Sequence, residues 1–303
     1  MSPDGMWSIG ELAEHAGVTV KTVRFYSDRG LLPEAARSSG GHRRYGRPAL
    51  DQLRLIRSLR ALDLPVPEVR RVLEREDALE DAVAGQLNRL GSQLAALRWR
   101  EAALQLLQDC TAEERADRLL LIGAITVPPS TAPLARFWRH WLPPKLPARL
   151  RTAIIDQAVP QPPADPTPAQ VLAFARLHAI VTAPCPGTGP GQGQPSAHRS
   201  DPAFRPAVLY DGLVEAYALA APDLRAQRPP LPGEALDCFV SAHAHSRGLR
   251  DTPGFRSRLS RRLAADPTID GYWQLTTVVS GSTEPTPGAT DDWLRTALDA
   301  AGR

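Results

Sequence analysis

Two helix-start signals flank one glycine close to the amino terminus, and they leave few ways for the first 30 residues to fold. Ser8 and Glu11 have the spacing of a capping box, in which the serine oxygen accepts from an orphan N–H and the glutamate reaches back to the cap. Ile9, Leu12 and Ala13 then share one face of a short helix. Ala16-Gly17-Val18 supplies a tight turn. Thr19 is a second N-cap and opens TVKTVRFYSDRG, where Gly30 suits the left-handed residue that ends a helix. Two short helices about a Gly-containing turn make the helix-turn-helix arrangement, whose second helix enters the major groove of DNA.

The following residues extend that expectation. Ser39-Gly40-Gly41 is a soft turn centre with Arg37 on one side and His42, Arg43 and Arg44 on the other, a pattern that predicts a two-stranded wing over Ala35 to Tyr45. Between Lys21 and Arg60 there are ten Lys/Arg and three Asp/Glu, an excess of seven positive charges in a chain whose net charge is only +3. Neutralising phosphate is the simplest use of such a stripe, the alternative being a solvated arginine-rich face.

In the run IGELAEHAGVTVKTVRFYSDRGLLPEAARSSGGHRRYGRPALDQLRLIRSLRALDLPVPEVRRVL the chain closely resembles the MerR family of transcriptional regulators, over about its first quarter. The resemblance implies a winged helix-turn-helix and a long helix that pairs antiparallel in a dimer. It also implies binding to a near-palindrome in an over-long promoter spacer, which is bent and untwisted for RNA polymerase, often only with ligand bound. Carried over by position, it puts groove contacts on Thr22, Arg24 and Tyr26, with Lys21 as a phosphate partner. Arg43, Arg44 and Tyr45 match the wing residues that grip the backbone, and Arg54 and Arg57 on the next helix either face phosphate or point to solvent. Four positions depart from the pattern. Phe25 stands where tyrosine is frequent, so one hydroxyl is missing. Gly46 and Pro65 replace serine caps, and Asp63 replaces glycine.

A different periodicity follows. Val83, Leu87, Leu90, Leu94, Leu97, Glu101 and Leu104 alternate steps of four and three, a heptad seam with one polar member. It predicts a helix from near Asp77 to near Cys110, about 50 Å long at about 1.5 Å per residue. Two uses compete: dimerisation, which a half-site reader needs, and packing against the chain's own second half. The predicted domains are therefore 6–75 for DNA binding, 77–111 for the dimer helix, and 113–303 for effector sensing.

Beyond residue 127 lie 25 of the 30 prolines, and pairs at Pro128-Pro129, Pro143-Pro144, Pro162-Pro163 and Pro229-Pro230 punctuate helix-like blocks. Thr167-Pro168 with Gln170 opens one, and Thr252-Pro253 and Asp266-Pro267 open others. The reading is a mainly α protein whose second half is all-helical, with six to eight helices and a Gly/Pro-rich loop over 184–200. No apolar run of about 18 residues suggests a membrane span, and no signal-peptide layout is present, so a cytoplasmic, nucleoid-associated setting is expected, with Met6 an alternative start to Met1.

The chemistry of the second half is less constrained. Cys110, Cys185 and Cys238 are too scattered for a disulfide framework or a soft-metal site, and residues two apart, such as His243 and His245, point apart on a helix. No phosphate-binding loop, GxSxG elbow or HExxH is present, which argues against an enzyme, and no cofactor or metal is expected. Asp201, Asp211, Glu215 and Asp237 read as a solvated helix face. Aromatic residues at helical spacing leave a small organic effector as the favoured ligand, with Trp138, Trp141, Tyr210, Tyr217, Tyr272 and Trp273 as pocket candidates. Phe137 to Trp141 is the densest cluster. A constitutive repressor or architectural protein, whose second half only makes protein contacts, stays open beside the sensor, as does a metal sensor.

Overall fold

Both amino-terminal capping signals are realised in the computed structural model, which describes residues 5–75, 77–183, 204–263 and 267–301. Ser8 accepts from Glu11 N while Glu11 accepts from Ser8 N, and α1 (Ile9–Ala16) ends on Gly17 at φ 63°. Thr19 caps α2 (Val20–Asp28) by accepting from Thr22 N at 3.1 Å. The wing forms from β1 (Ala36–Arg37) and β2 (Arg43–Arg44), antiparallel with Ala36 opposite Arg44 and Arg37 opposite Arg43. Trp7 bridges to Tyr45 through reciprocal backbone hydrogen bonds of 2.8 and 2.9 Å, so residues before α1 add to the wing. After it come α3 (Arg47–Ala61) and α4 (Val66–Glu74). Leu12, Val23, Tyr45, Leu53, Ile56, Leu64 and Val69 are buried together, one apolar stripe from each element meeting in a single core.

The chain divides into two compact units, residues 1–93 and 94–303, and the division falls within α5 (Ala78–Gln108). In the second unit α6 (Ala112–Gly123), α7 (Ala132–Trp141), α8 (Ala148–Ala158), α9 (Pro168–Thr182) and α10 (Pro206–Arg225) precede α11 (Glu234–His245), α12 (Pro253–Arg262), α13 (Pro267–Ser280) and α14 (Pro287–Ala301). These are nine helices among the described residues, more than the six to eight expected. Each of the four proline pairs falls in a connection, where a missing N–H and a fixed φ do no harm. The Thr167–Gln170 capping box forms, and Thr252 caps α12 through Phe255 N. One core gathers Trp99, Trp138, Phe174, Leu177 and Tyr272, and a second gathers Leu213, Phe239, Phe255 and Leu294. The loop expected over 184–200, with Cys185, Asp201 and Asp266, lies outside the described residues. Among the described residues no helix is long and apolar enough to cross a membrane.

Candidate nucleic-acid interface and ligand cavity

Thr19 begins α2 so that its first turn faces outward. Lys21 and Arg24 are exposed there and make no ion pair among the described residues, and Thr22 is half-buried, its hydroxyl 2.9 Å from that of Thr19. Tyr26 differs from its expected place at the groove: its side chain is buried in the core beside Val23. Phe25 is exposed, and the Arg29 guanidinium stacks 3.6 Å from its ring centre, so the position without a hydroxyl carries a cation–π pair.

The wing is tied to the far end of α2. Tyr45 is fully buried, and its hydroxyl lies 2.7 Å from Ser27 Oγ. This corrects the surface role expected of Tyr45, whose ring is core and whose hydroxyl is spent inside the protein. Arg43 donates to Ser27 Oγ at 3.0 Å and to Asp28 Oδ1 at 2.5 Å, and reaches Glu34 at 2.7 Å. The Asp28 carboxylate bonded to it, with Glu34 beside it, holds the Arg43 guanidinium above its ordinary range. Its partners were not identified from sequence, since nothing in their spacing marks a contact across a hairpin. Arg44, half-buried, has no ion pair among the described residues. A cleft of about 420 Å³ between α2 and the wing is lined by Arg24, Arg37, His42, Arg43 and Arg44, with Asp28 at one side. Arg54 is exposed, 3.8 Å from Asp51. Arg57 instead donates to the Ala16 carbonyl and braces the turn between α1 and α2.

Residues 7–76 match the MerR HTH family regulatory proteins. Those residues form a MerR-family helix-turn-helix domain. Nodulation protein NolA of Bradyrhizobium elkanii is 42% identical over 29% of this chain and 41% of its own length. The HTH-type transcriptional activator TipA of Streptomyces coelicolor is 46% identical over 22% of this chain and 27% of its own. The solved structure of the transcription regulator PbrR691 from Ralstonia metallidurans CH34, in complex with lead(II), is 36% identical, with a TM-score of 0.32, over 35% of this chain and 89% of that one. The likeness to NolA thus spans about two fifths of that relative.

On α5 the seam residues Val83, Leu87, Leu90, Leu94, Leu97 and Leu104 are all exposed, from 38% at Val83 to 67% at Leu104. Glu101 shares that exposed face. Ala96, Trp99, Ala102 and Leu106 lie on another face of the same helix and are buried, the last three in the second unit's core, where Trp99 Nε1 donates to the Pro163 carbonyl at 2.9 Å. The helix thus packs into the second unit's core on one face and leaves the predicted seam exposed on another.

A cavity of about 380 Å³ opens among the helices of the second unit. Trp138, Trp141, Tyr210, Tyr217 and Trp273 stand on its wall, with indole centres 5.0 Å apart for Trp138–Trp141 and 5.4 Å for Trp138–Trp273. Tyr272 does not join them: it is buried in the core and donates to the Ala158 carbonyl at 2.7 Å. The wall also carries a polar set that sequence reasoning missed. Tyr217 donates to Asp291 at 2.9 Å, and Arg295 reaches Asp291 at 3.3 Å and Asp270 at 2.7 Å. Although 31% of the Asp291 side chain is exposed, protein encloses the carboxyl and burial holds it above the usual carboxylate range, against the pull of Arg295. Burial, aided by Arg247 and Arg262, pushes His243 down to about 3. Cys110 is buried and donates to the Leu107 carbonyl. No group of three His, Cys, Asp or Glu among the described residues is placed to hold a metal ion.

Proposed function

We propose that this protein is a DNA-binding transcriptional regulator that works as a homodimer in the cytoplasm and carries a small-molecule sensor in its second unit. The observation that carries the reading is the exposed seam of α5, which follows directly on a winged helix-turn-helix. Removing about half of each of twelve such side chains from water in a pair would contribute on the order of 10 kcal/mol. That is comparable with an association cost of about 4–15 kcal/mol, and symmetric DNA held by both protomers adds to the favourable side. Two recognition helices related by a two-fold axis read half-sites about one turn, roughly 34–36 Å, apart or a multiple of that. In this reading Lys21, Thr22 and Arg24 meet the groove and its phosphates, and Arg44 reaches the backbone from the wing. The bound spacer is distorted for RNA polymerase. The aromatic cavity supports an organic effector over a metal.

Sedimentation of the full chain tests the dimer. The expected mass is that of two chains, reduced to one by Leu90→Lys with circular dichroism unchanged. A wild-type monomer at micromolar concentration in the presence and absence of DNA would contradict it.

A further inference from the structure

Three arginines line the cavity of the second unit with Asp270 and Asp291. Arg247 donates to the His243 carbonyl at 3.0 Å and to Ser246 Oγ at 3.2 Å. Both carboxylates are already engaged by Arg295. Arg262, exposed at the end of α12, has no ion pair among the described residues. His243 is 6% exposed on the same wall, and its Nδ1 has no hydrogen-bond partner among the described residues. A polar group buried without a partner loses the hydrogen bond it had in water, which a ligand atom can restore. The indoles of Trp138, Trp141 and Trp273 make the rest of the wall flat and apolar.

We propose that this cavity binds an aromatic carboxylate, its ring against the three indoles and its carboxylate on Arg262, with His243 hydrogen-bonded to the same ligand. The inference rests on the reading of the second unit as a sensor and names the chemical class it senses. A cationic ligand would have to compete with Arg295 for Asp270 and Asp291 and would sit beside two further arginines. A carboxylate meets the Arg262 guanidinium, which has no other ion pair among the described residues. Because burial keeps the imidazole neutral near pH 7, it offers one N–H to the ligand and stores no charge of its own.

The test uses the full chain and three matched probes: 1-naphthylacetate, its primary amide, and 1-naphthylethylamine. Tryptophan fluorescence and melting temperature report binding, since a ligand selective for the folded state raises the latter. The expected result is saturable quenching and a raised melting temperature with the carboxylate, which binds at least about tenfold more tightly than the amide, as a charge-assisted bond predicts. Arg262→Gln removes that advantage and leaves amide binding unchanged. Preference for the amine, equal binding of acid and amide, an unaffected Arg262→Gln, or no binding by any probe overturns the proposal. DNA affinity measured at saturating carboxylate separates the two claims. Tight binding without any effect on DNA leaves the carboxylate site standing and removes the sensor reading.

Discussion

The Tyr45 hydroxyl lies 2.7 Å from Ser27 Oγ, and this buried contact fastens the wing to the last turn of the recognition helix. Ser27 also accepts from Arg43, so one serine oxygen joins both wing residues. A positioning bond and a phosphate contact differ in their response to salt. Tyr45→Phe leaves Ser27 with one partner fewer and should destabilise the first unit by about 1 kcal/mol. It should weaken DNA binding without changing the slope of log affinity against log salt. A flatter slope would place Tyr45 at the phosphate after all.

Arg44 and Arg43 sit side by side yet have different partners. Arg44 has no ion pair among the described residues and is proposed as the phosphate ligand, so Arg44→Ala should weaken all DNA sequences alike and reduce the salt slope by about 0.9. Arg43→Ala breaks the links to Asp28 and Glu34 and should act mainly on wing stability. Arg24→Ala, from the exposed face of α2, should lose both affinity and discrimination between sites. Binding titrations at several salt concentrations, on operator and random DNA, check all three.

Asp63 follows α3 with φ 60°, and its N–H donates to the Arg60 carbonyl at 3.0 Å. A left-handed residue at a helix end favours glycine, which has no Cβ to crowd. Asp63→Gly should therefore stabilise the first unit by about 0.5–1 kcal/mol. Urea unfolding would show a higher midpoint at unchanged slope, and a lower midpoint would contradict the strain.

His243 makes stability depend on pH. Its folded value of about 3 lies below the ordinary 6.5, so between them the unfolded chain binds the extra proton. The stability this group contributes is complete above about pH 6.5 and falls with pH at up to about 1.4 kcal/mol per unit, amounting to about 2 kcal/mol near pH 5. Melting temperatures of wild type and His243→Gln across this range isolate the effect, since other titrating groups cancel in the comparison. Parallel curves would show that the imidazole is not buried as a neutral ring.

Features written in local order were legible in the sequence. The caps at Ser8, Thr19 and Thr167, the wing turn and the heptad seam each depend on residues within a few positions of one another. Tertiary choices were not. Tyr45 and Tyr26 are surface groups by the family resemblance, yet burial of their rings completes the core of a small domain. Tyr272 and Trp273 are neighbours in sequence, but about 100° of helical rotation sends one into the core and the other to the cavity. The charged part of that cavity was missed because His243, Arg262, Asp270 and Arg295 come from four helices. Asp211 and Asp237, read as a solvated face, make exposed ion pairs with Arg149 and Arg256.

A footprint of the purified protein on the DNA upstream of its own gene is the decisive test of dimeric promoter binding, because regulators commonly control themselves. Protection of a two-fold site inside an over-long promoter spacer is expected, with enhanced cleavage at its centre where the duplex is bent. No protection at low salt, on that fragment and on random genomic DNA alike, would contradict it.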